Sequence, residues 1–359
     1  MLTKIHVENL KNLKEVNIKL KPLTIFIGPN GSGKSSILQS ILILKKLYTF
    51  QGNLSLNGLL QLDGYINMGS WSDVSFSPSN PMKIGTEIVE GNTQMFLEVT
   101  ITEEGKVNLN VELRVDGGEN NFNKIITLPY SQKQMQDVEI RVNERIISAA
   151  WDGFNLSIKS APVIISATLK SAITSLVSRW HYNIFFIPSS ILMFRQPQVS
   201  VGATQKEAIL DNIRKSLLIN ENILISLMAV DPDVEDYVIR CAREVFGINI
   251  RARPYPQNAW RIISSIRKGK TIPIVNEGGG INRNIYMFTI LAVANEGSTI
   301  MIEEPETNLH PKAQYDLSKI FVEAIREEGK QLLITTHSEH LLFGILKHIA
   351  KKNLDLKDI

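Results

Sequence analysis

The sequence predicts an α/β fold, with a mixed or parallel sheet covered by helices, an antiparallel β lobe and a helical insertion. Three observations predict it. Near the start an apolar strand runs into a glycine-rich loop and then a helix, "LTIFIGPNGSGKSSILQSILILKKLY" (residues 23–48). In the last third, strands alternate with helices, the pattern of a parallel sheet covered on both faces. Between the two, residues 53–158 alternate polar and apolar positions with glycine and asparagine breaks, as hairpins do.

Taken in order, residues 2–27 read as two strands around a polar turn, the second being "LTIFI", which stops at Gly28; a helix follows from Lys34 to Tyr48. The hairpin region contains "MFLEVTITEEGKVNLNVELRVDGGENN" (95–121), and nothing in it reads as catalytic. The pattern turns helical between Ser160 and Trp180, and "NIFFIPSS" (183–190) is a buried strand ended by Pro188. Helices are expected over 204–230 and 232–246, then strand-like pieces up to a glycine triplet. The closing run is helix (281–295), strand (298–304), helix (311–328), strand (331–338) and helix (339–351). The strands before Gly28, Glu303 and His337 belong in one sheet, so the two ends of the chain should meet. The expected division is a single head over 1–359, with a core made of 1–50 and 271–359, a β lobe over 51–160 and a helical lobe over 161–270.

At 359 residues the chain can bury more than one modest core, since domains run at ~100–200 residues. A formal charge of +3 is too mild to diagnose a nucleic-acid or membrane partner. Cys241 is the only cysteine, which excludes an intrachain disulfide and any multi-cysteine metal site and fits a reducing compartment. The N-terminus "MLTKIHVENLKNL" lacks the apolar core of a signal peptide, and no apolar run has membrane-spanning length. A cytoplasmic protein with no membrane partner is expected.

Residues 28–35, "GPNGSGKS", fit G-x-x-x-x-G-K-[ST] with a strand before and a helix after. In such a loop, which runs through Gly28, Pro29, Asn30, Gly31, Ser32, Gly33, Lys34, Ser35 and Ser36, backbone N–H groups and a helix N-terminus face phosphate oxygens. Lys34 reaches the β and γ oxygens, and the Ser35 hydroxyl coordinates Mg²⁺. A chance glycine-rich turn is the alternative, and both flanks argue against it. "STIMIEEPETNLHP" (298–311) puts two carboxylates at the end of a buried strand, where open α/β sheets bind ligands. Glu303 would orient the hydration shell of Mg²⁺ and Glu304 would polarise an attacking water. A charge cluster at a helix N-terminus is the plainer reading of two adjacent acids. His337 ends the next strand, where it would contact a γ-phosphate or hold that water. Gly278, Gly279 and Gly280, in "VNEGGGINRN" (275–284), open a helix and form either a second anion site or a flexible turn.

On these residues the chain resembles an ATP-binding-cassette-type ATPase of the RecF/SMC/OLD branch, an OLD-like ATPase domain without a Toprim nuclease domain. Gly28–Ser35 matches the Walker A loop of that family, "IMIEEPETNLHP" its Walker B strand and acidic tail, and His337 in T-H-S its switch histidine. "EGGGINRN" (277–284) stands where the family carries a glycine-rich signature, although Glu277 flanks the glycines where relatives often have serine. The resemblance implies a P-loop NTPase with an ABC-ATPase-like head that uses ATP and Mg²⁺ in a head-to-tail homodimer. Gly278–Gly280 of one copy would there face the ATP held by the other. It also implies coupling of nucleotide state to a nucleic acid or to an effector.

OLD-family members continue after T-H-S into a nuclease domain, whereas this sequence ends at Ile359 with no carboxylate cluster suited to a two-metal nuclease. An effector nuclease acting in trans, or a shortened chain, is therefore expected. Residues 251–270 hold six basic residues, Arg251, Arg253, Arg261, Arg267, Lys268 and Lys270, with Tyr255 and Trp260 among them. They read equally as a nucleic-acid strip or as a solvated hairpin. Two other functions stay open: a module in which ATP only joins two copies, and a transporter's nucleotide-binding subunit. The long stretch between Ser35 and Gly278, and the lack of LSGGQ, argue against the transporter.

Overall fold

Where the sequence predicted two strands before Gly28, the structure has three: β1 (Leu2–Leu10), β2 (Leu13–Lys19) and β3 (Leu23–Ile27). Leu10 pairs with Leu13 across a two-residue loop, in which Lys11 takes the left-handed φ of 51°. Pro22 has no N–H to continue a ladder, and the chain leaves the hairpin there. After α1 (Lys34–Thr49) come the short α2 (Leu56–Leu60), β4 (Gln61–Leu62), β5 (Ile66–Asn67) and α3 (Trp71–Val74). Seven strands follow: β6 (Met82–Glu90), β7 (Thr93–Ile101), β8 (Lys106–Val115), β9 (Gly118–Thr127), β10 (Gln136–Val142), β11 (Arg145–Trp151) and β12 (Leu156–Ser160).

This computed structural model describes residues 1–359 other than 51, 63–65, 116–117, 131–133, 143–144, 153, 155, 161–182, 190–198, 201–205, 217–220, 257–258 and 267–269. Two units are distinguished by their internal contacts, Met1–Lys21 with Pro29–Tyr182, and Pro22–Gly28 with Asn183–Ile359. The helix expected between Ser160 and Trp180 lies, from 161 on, outside the described residues.

In the first unit the strand order is β2-β1-β6-β7-β8-β9, antiparallel throughout. The expected alternation is present: in β7, Met95, Leu97, Val99 and Ile101 are buried while the residues between them are not. Helix α1 packs on β1 and β6. Its apolar residues run all round the axis from Ile37 to Leu47, which is why it is buried on every face rather than along one stripe. Strands β10, β11 and β12 form a separate antiparallel sheet.

The second unit holds β13 (Ile184–Ile187), β14 (Val199–Ser200), α4 (Lys206–Lys215), α5 (Glu221–Val230), α6 (Pro232–Phe246), β15 (Asn249–Tyr255), β16 (Ala259–Ile266) and β17 (Lys270–Pro273). It continues through α7 (Gly279–Val293), β18 (Thr299–Glu303), α8 (Pro311–Arg326), β19 (Gln331–Thr336) and α9 (Glu339–Ala350). Its main sheet runs β13-β18-β19-β3, all parallel, so the strand before Gly28 does join the strands before Glu303 and His337. Strands β18 and β19 are buried at every position, as sheets covered on both faces require. Asp231 caps α6 with Pro232 in its first turn, which separates α6 from α5. No helix among the described residues is long and apolar enough to cross a membrane.

Cys241 lies buried on α6, and burial pushes its thiol up to about 12. At pH 8 only about one molecule in ten thousand would carry the thiolate that reacts. Native protein at pH 8 is therefore expected to resist iodoacetamide for hours, and guanidinium-unfolded protein to be alkylated within minutes. Mass spectrometry reads both, and equal rates would contradict the burial.

Candidate functional site

The glycine loop is built on left-handed backbone. Gly31 and Gly33 take φ of 77° and 96°, a region that side chains strain to enter. A Cβ on Gly33 would stand 2.6 Å from Leu13 Cδ2, while nothing lies within 4 Å of one on Gly31, so the loop is tight behind and open in front. Asn12 donates its side-chain amide to the Gly31 carbonyl, and Lys11 Nζ donates to Gln39 Oε1 on α1 at 2.7 Å. The β1–β2 turn thus braces the loop, a role the sequence reading missed. Lys34 Nζ donates to the Pro29 carbonyl at 2.9 Å. No side chain caps the first turn of α1, and an uncapped helix N-terminus favours negative charge. Pro29, Asn30, Gly31, Ser32 and Ser35 are exposed, Lys34 is half-buried, and Ser36 is buried.

In the second unit the parallel ladder sets the register of the other site residues. Ile27 pairs with Thr336 and Glu303 with Thr335, so Gly28, Glu303, Glu304 and His337 share the carboxyl edge of one sheet. Glu303 is 5% exposed, with Oε2 accepting from the Ser189 amide at 3.1 Å and from its hydroxyl. Its Oε1 is buried without a partner. A carboxylate oxygen in that condition fits a hydrated cation or an ordered water.

Glu304 leaves the strand with a φ of 43°, unusual for a residue that is neither glycine nor asparagine. Its amide donates to the Thr335 carbonyl at 2.8 Å, and its carbonyl accepts from the Thr307 amide at 3.1 Å. The carboxylate is half exposed, with Oε1 at 3.8 Å from His337 Nε2. The His337 amide donates to Glu306 Oε1 at 2.7 Å, and Ser338 caps α9 by accepting from the Leu341 amide. Two neighbouring strand ends thus carry an acid and an imidazole side by side, close enough to hydrogen-bond the same water beside the pair.

The glycine triplet divides by role. Gly278 is exposed with open space at its Cβ position, and no side chain caps the first turn of α7. Gly280 is buried, and a Cβ there would stand 2.7 Å from Leu309 Cδ2 and 2.8 Å from the Asn308 carbonyl carbon. The third glycine thus permits the helix to approach the turn after Glu304. The Glu277 carboxylate accepts from the Ser264 hydroxyl on β16. In the basic strip Arg251 and Arg253 lie 3.8 and 3.5 Å from Glu235 on α6, and Arg261 stacks 4.7 Å over Tyr255. Trp260 packs against the core, while Arg267 and Lys268 lie outside the described residues, as does the Lys270 side chain. The described part behaves as a hairpin whose charges are engaged within the fold.

Among the described residues no three histidine, cysteine or carboxylate side chains gather as a self-sufficient metal site. A Mg²⁺ needs no such cage, because it is commonly held by one or two protein groups with phosphate oxygens and water. The Ser35 hydroxyl in the first unit and the Glu303 carboxylate in the second are each oxygen donors of the kind Mg²⁺ accepts.

Residues 1–342 match the family described as an AAA ATPase domain. The Old nuclease of Escherichia phage P2 is 25% identical, over 99% of this chain and 59% of that protein. The DNA replication and repair protein RecF of Acinetobacter baumannii is 33% identical over 95 residues, 26% of this chain and 24% of that protein. The chain therefore spans less than two thirds of either relative. Its fold is that of the SMC head, as seen in a head bound to the C-winged helix domain of ScpA, with a TM-score of 0.53 at 13% identity over 96% of this chain and 91% of that one.

The two outer glycines separate packing from ligand contact. Gly280→Ala is expected to destabilise the fold by about 1–3 kcal/mol, because the added methyl meets backbone that cannot rotate away. Gly278→Ala should stay within about 0.5 kcal/mol of the parent. Urea unfolding followed by circular dichroism reads both, and coincident midpoints would contradict the close approach.

Proposed function

The chain belongs to the AAA ATPase domain family, and on that premise we propose that it binds ATP with Mg²⁺, hydrolyses it, and closes as a two-fold dimer around two nucleotides. The observation that carries the reading is the acidic turn, where buried Glu303 keeps one oxygen unpartnered and Glu304 stands 3.8 Å from His337. Phosphoryl transfer to water asks little covalent chemistry of a protein, and those groups supply what it does ask: charge, orientation and a base.

In this reading the amides of Gly31, Ser32 and Gly33 and the start of α1 take the β- and γ-phosphate oxygens. Lys34 neutralises charge on the γ-phosphate, and Ser35 and Glu303 would hold a hydrated Mg²⁺, whose chemistry there would be to offset phosphate charge. Glu304 draws the proton from the attacking water while His337 orients it. The exposed Gly278 and half-buried Gly279 at the open end of α7 cover the γ-phosphate bound by a second copy. ATP touching both copies only when closed would favour closure, and hydrolysis would release it. The partner that reads this cycle is a nucleic acid or an effector protein such as a nuclease in trans. The engaged arginines of the strip favour the protein, as does the SMC head's complex with ScpA. The sole cysteine, buried and free, is in keeping with work in the cytoplasm.

Phosphate release and light scattering test the proposal together. Lys34→Ala is expected to lower kcat/KM on the order of 100-fold, and Glu304→Gln to lower kcat by about 10²–10⁴ while ATP binding persists. With Mg-ATP the Glu304→Gln chain should double in mass, and Gly278→Asp should abolish the doubling. Turnover unaffected by either active-site change would sink the hydrolytic reading. A mass indifferent to ATP would sink the sandwich.

A further inference from the structure

Arg283, which takes no part in the steps above, ties the glycine-opened helix to the acidic turn. It lies on the second turn of α7 and is 4% exposed. Its Nη2 donates to the carbonyls of Pro188, at 3.2 Å, and Glu303; its Nη1 donates to the carbonyl of Glu304. The three acceptors lie at and just beyond the ends of β13 and β18, so one guanidinium spans two neighbouring strand ends. Burial pulls its pKa below the ordinary value, against the carboxylates of Glu306, Glu304 and Glu303, and arginine still keeps its proton at any working pH.

The grip falls where the backbone most needs it. A left-handed φ at a residue like Glu304 costs about 1–3 kcal/mol and persists only when its surroundings over-determine it. Besides the two main-chain bonds at Glu304, Arg283 supplies the third hold, and it alone comes from α7. Glu306, which acts most strongly among the carboxylates on Arg283, also holds the His337 amide. Two buried side chains of opposite charge thus hold neighbouring main-chain groups, Arg283 the carbonyl of Glu304 and Glu306 the amide of His337. A lysine could not reproduce this, since one ammonium lacks the planar fork that reaches separate carbonyls.

We propose that Arg283 is a positioning residue that fixes the Glu304 backbone for hydrolysis and passes displacement of the glycine end of α7 to the acidic turn. The inference rests on the hydrolytic reading above. The test compares Arg283→Lys, Arg283→Ala and, as a buried control on the same helix, Thr289→Val, whose hydroxyl bonds only within α7 and to Met228. Affinity is read with a fluorescent ATP analogue, turnover by phosphate release, and folding by thermal melting. The expected result is a loss in kcat on the order of 100-fold in both Arg283 variants, with ATP affinity within ~2-fold of the parent. Millimolar guanidinium should restore part of the loss in Arg283→Ala and none of it in Arg283→Lys. Arg283 variants that turn over like Thr289→Val per folded molecule would overturn the proposal, as would a loss of affinity equal to the loss of kcat.

If neither Arg283 variant folds, Glu306→Gln decides. It keeps an acceptor for the His337 amide and removes the charge facing Arg283, so an unchanged kcat there overturns the proposal and a lowered kcat at parental affinity supports it. Parent protein without ATP turnover overturns the hydrolytic reading itself, and this inference with it.

Discussion

The pairing of β3 with β19 is the constraint on which the rest of the second unit depends. Leu23–Ile27 lies in register with Leu332–Thr336, and that register sets Gly28 at the sheet edge that carries Glu303, Glu304 and His337. Side-chain chemistry follows from main-chain hydrogen bonds here. Because all four strands run parallel, every carboxyl end falls on the same side, and each contributes a different group: a serine, two acids, a histidine and the first residue of the glycine loop. That is where open α/β sheets present ligand sites.

Regularity and strain divide the work at this edge. The strands themselves are unremarkable, apolar and enclosed. The departures come in the turn that follows β18, where Glu304 and Asn308 both take left-handed φ. A glycine can occupy left-handed backbone at little cost, whereas Glu304 cannot, and the amount of hydrogen bonding around it reflects that difference.

Much of this was legible in the sequence. Strands β18 and β19 read correctly because a strand covered on both faces is a short apolar run, and the glycine loop read correctly because few residue orders satisfy its geometry. The Leu2–Lys19 hairpin was not legible, because its turn is only the polar pair Lys11–Asn12, with no glycine or proline to mark it. Nor were Lys11, Asn12, Ser189 and Arg283 visible as site residues. Asn12 and Arg283 act on carbonyl oxygens, Ser189 through its own amide as well as its hydroxyl, and a backbone group has no letter in the sequence. The split roles of Gly278 and Gly280 were hidden for a related reason, since only the fold shows which of three identical letters faces Asn308.

The same β3–β19 pairing sets an order of events during synthesis. Strand β3 emerges from the ribosome early, but the strand it must pair with comes near the end of the sequence, after the whole first unit has been made. Until then its apolar residues have no partner, while strands β6 to β9 of the first unit can form from hairpins that are neighbours in the chain. Until β19 has been made, the glycine loop is therefore half anchored, its far side joined to α1 and its near side to an unpaired strand, and closing so long a loop carries an entropic cost that hairpins avoid.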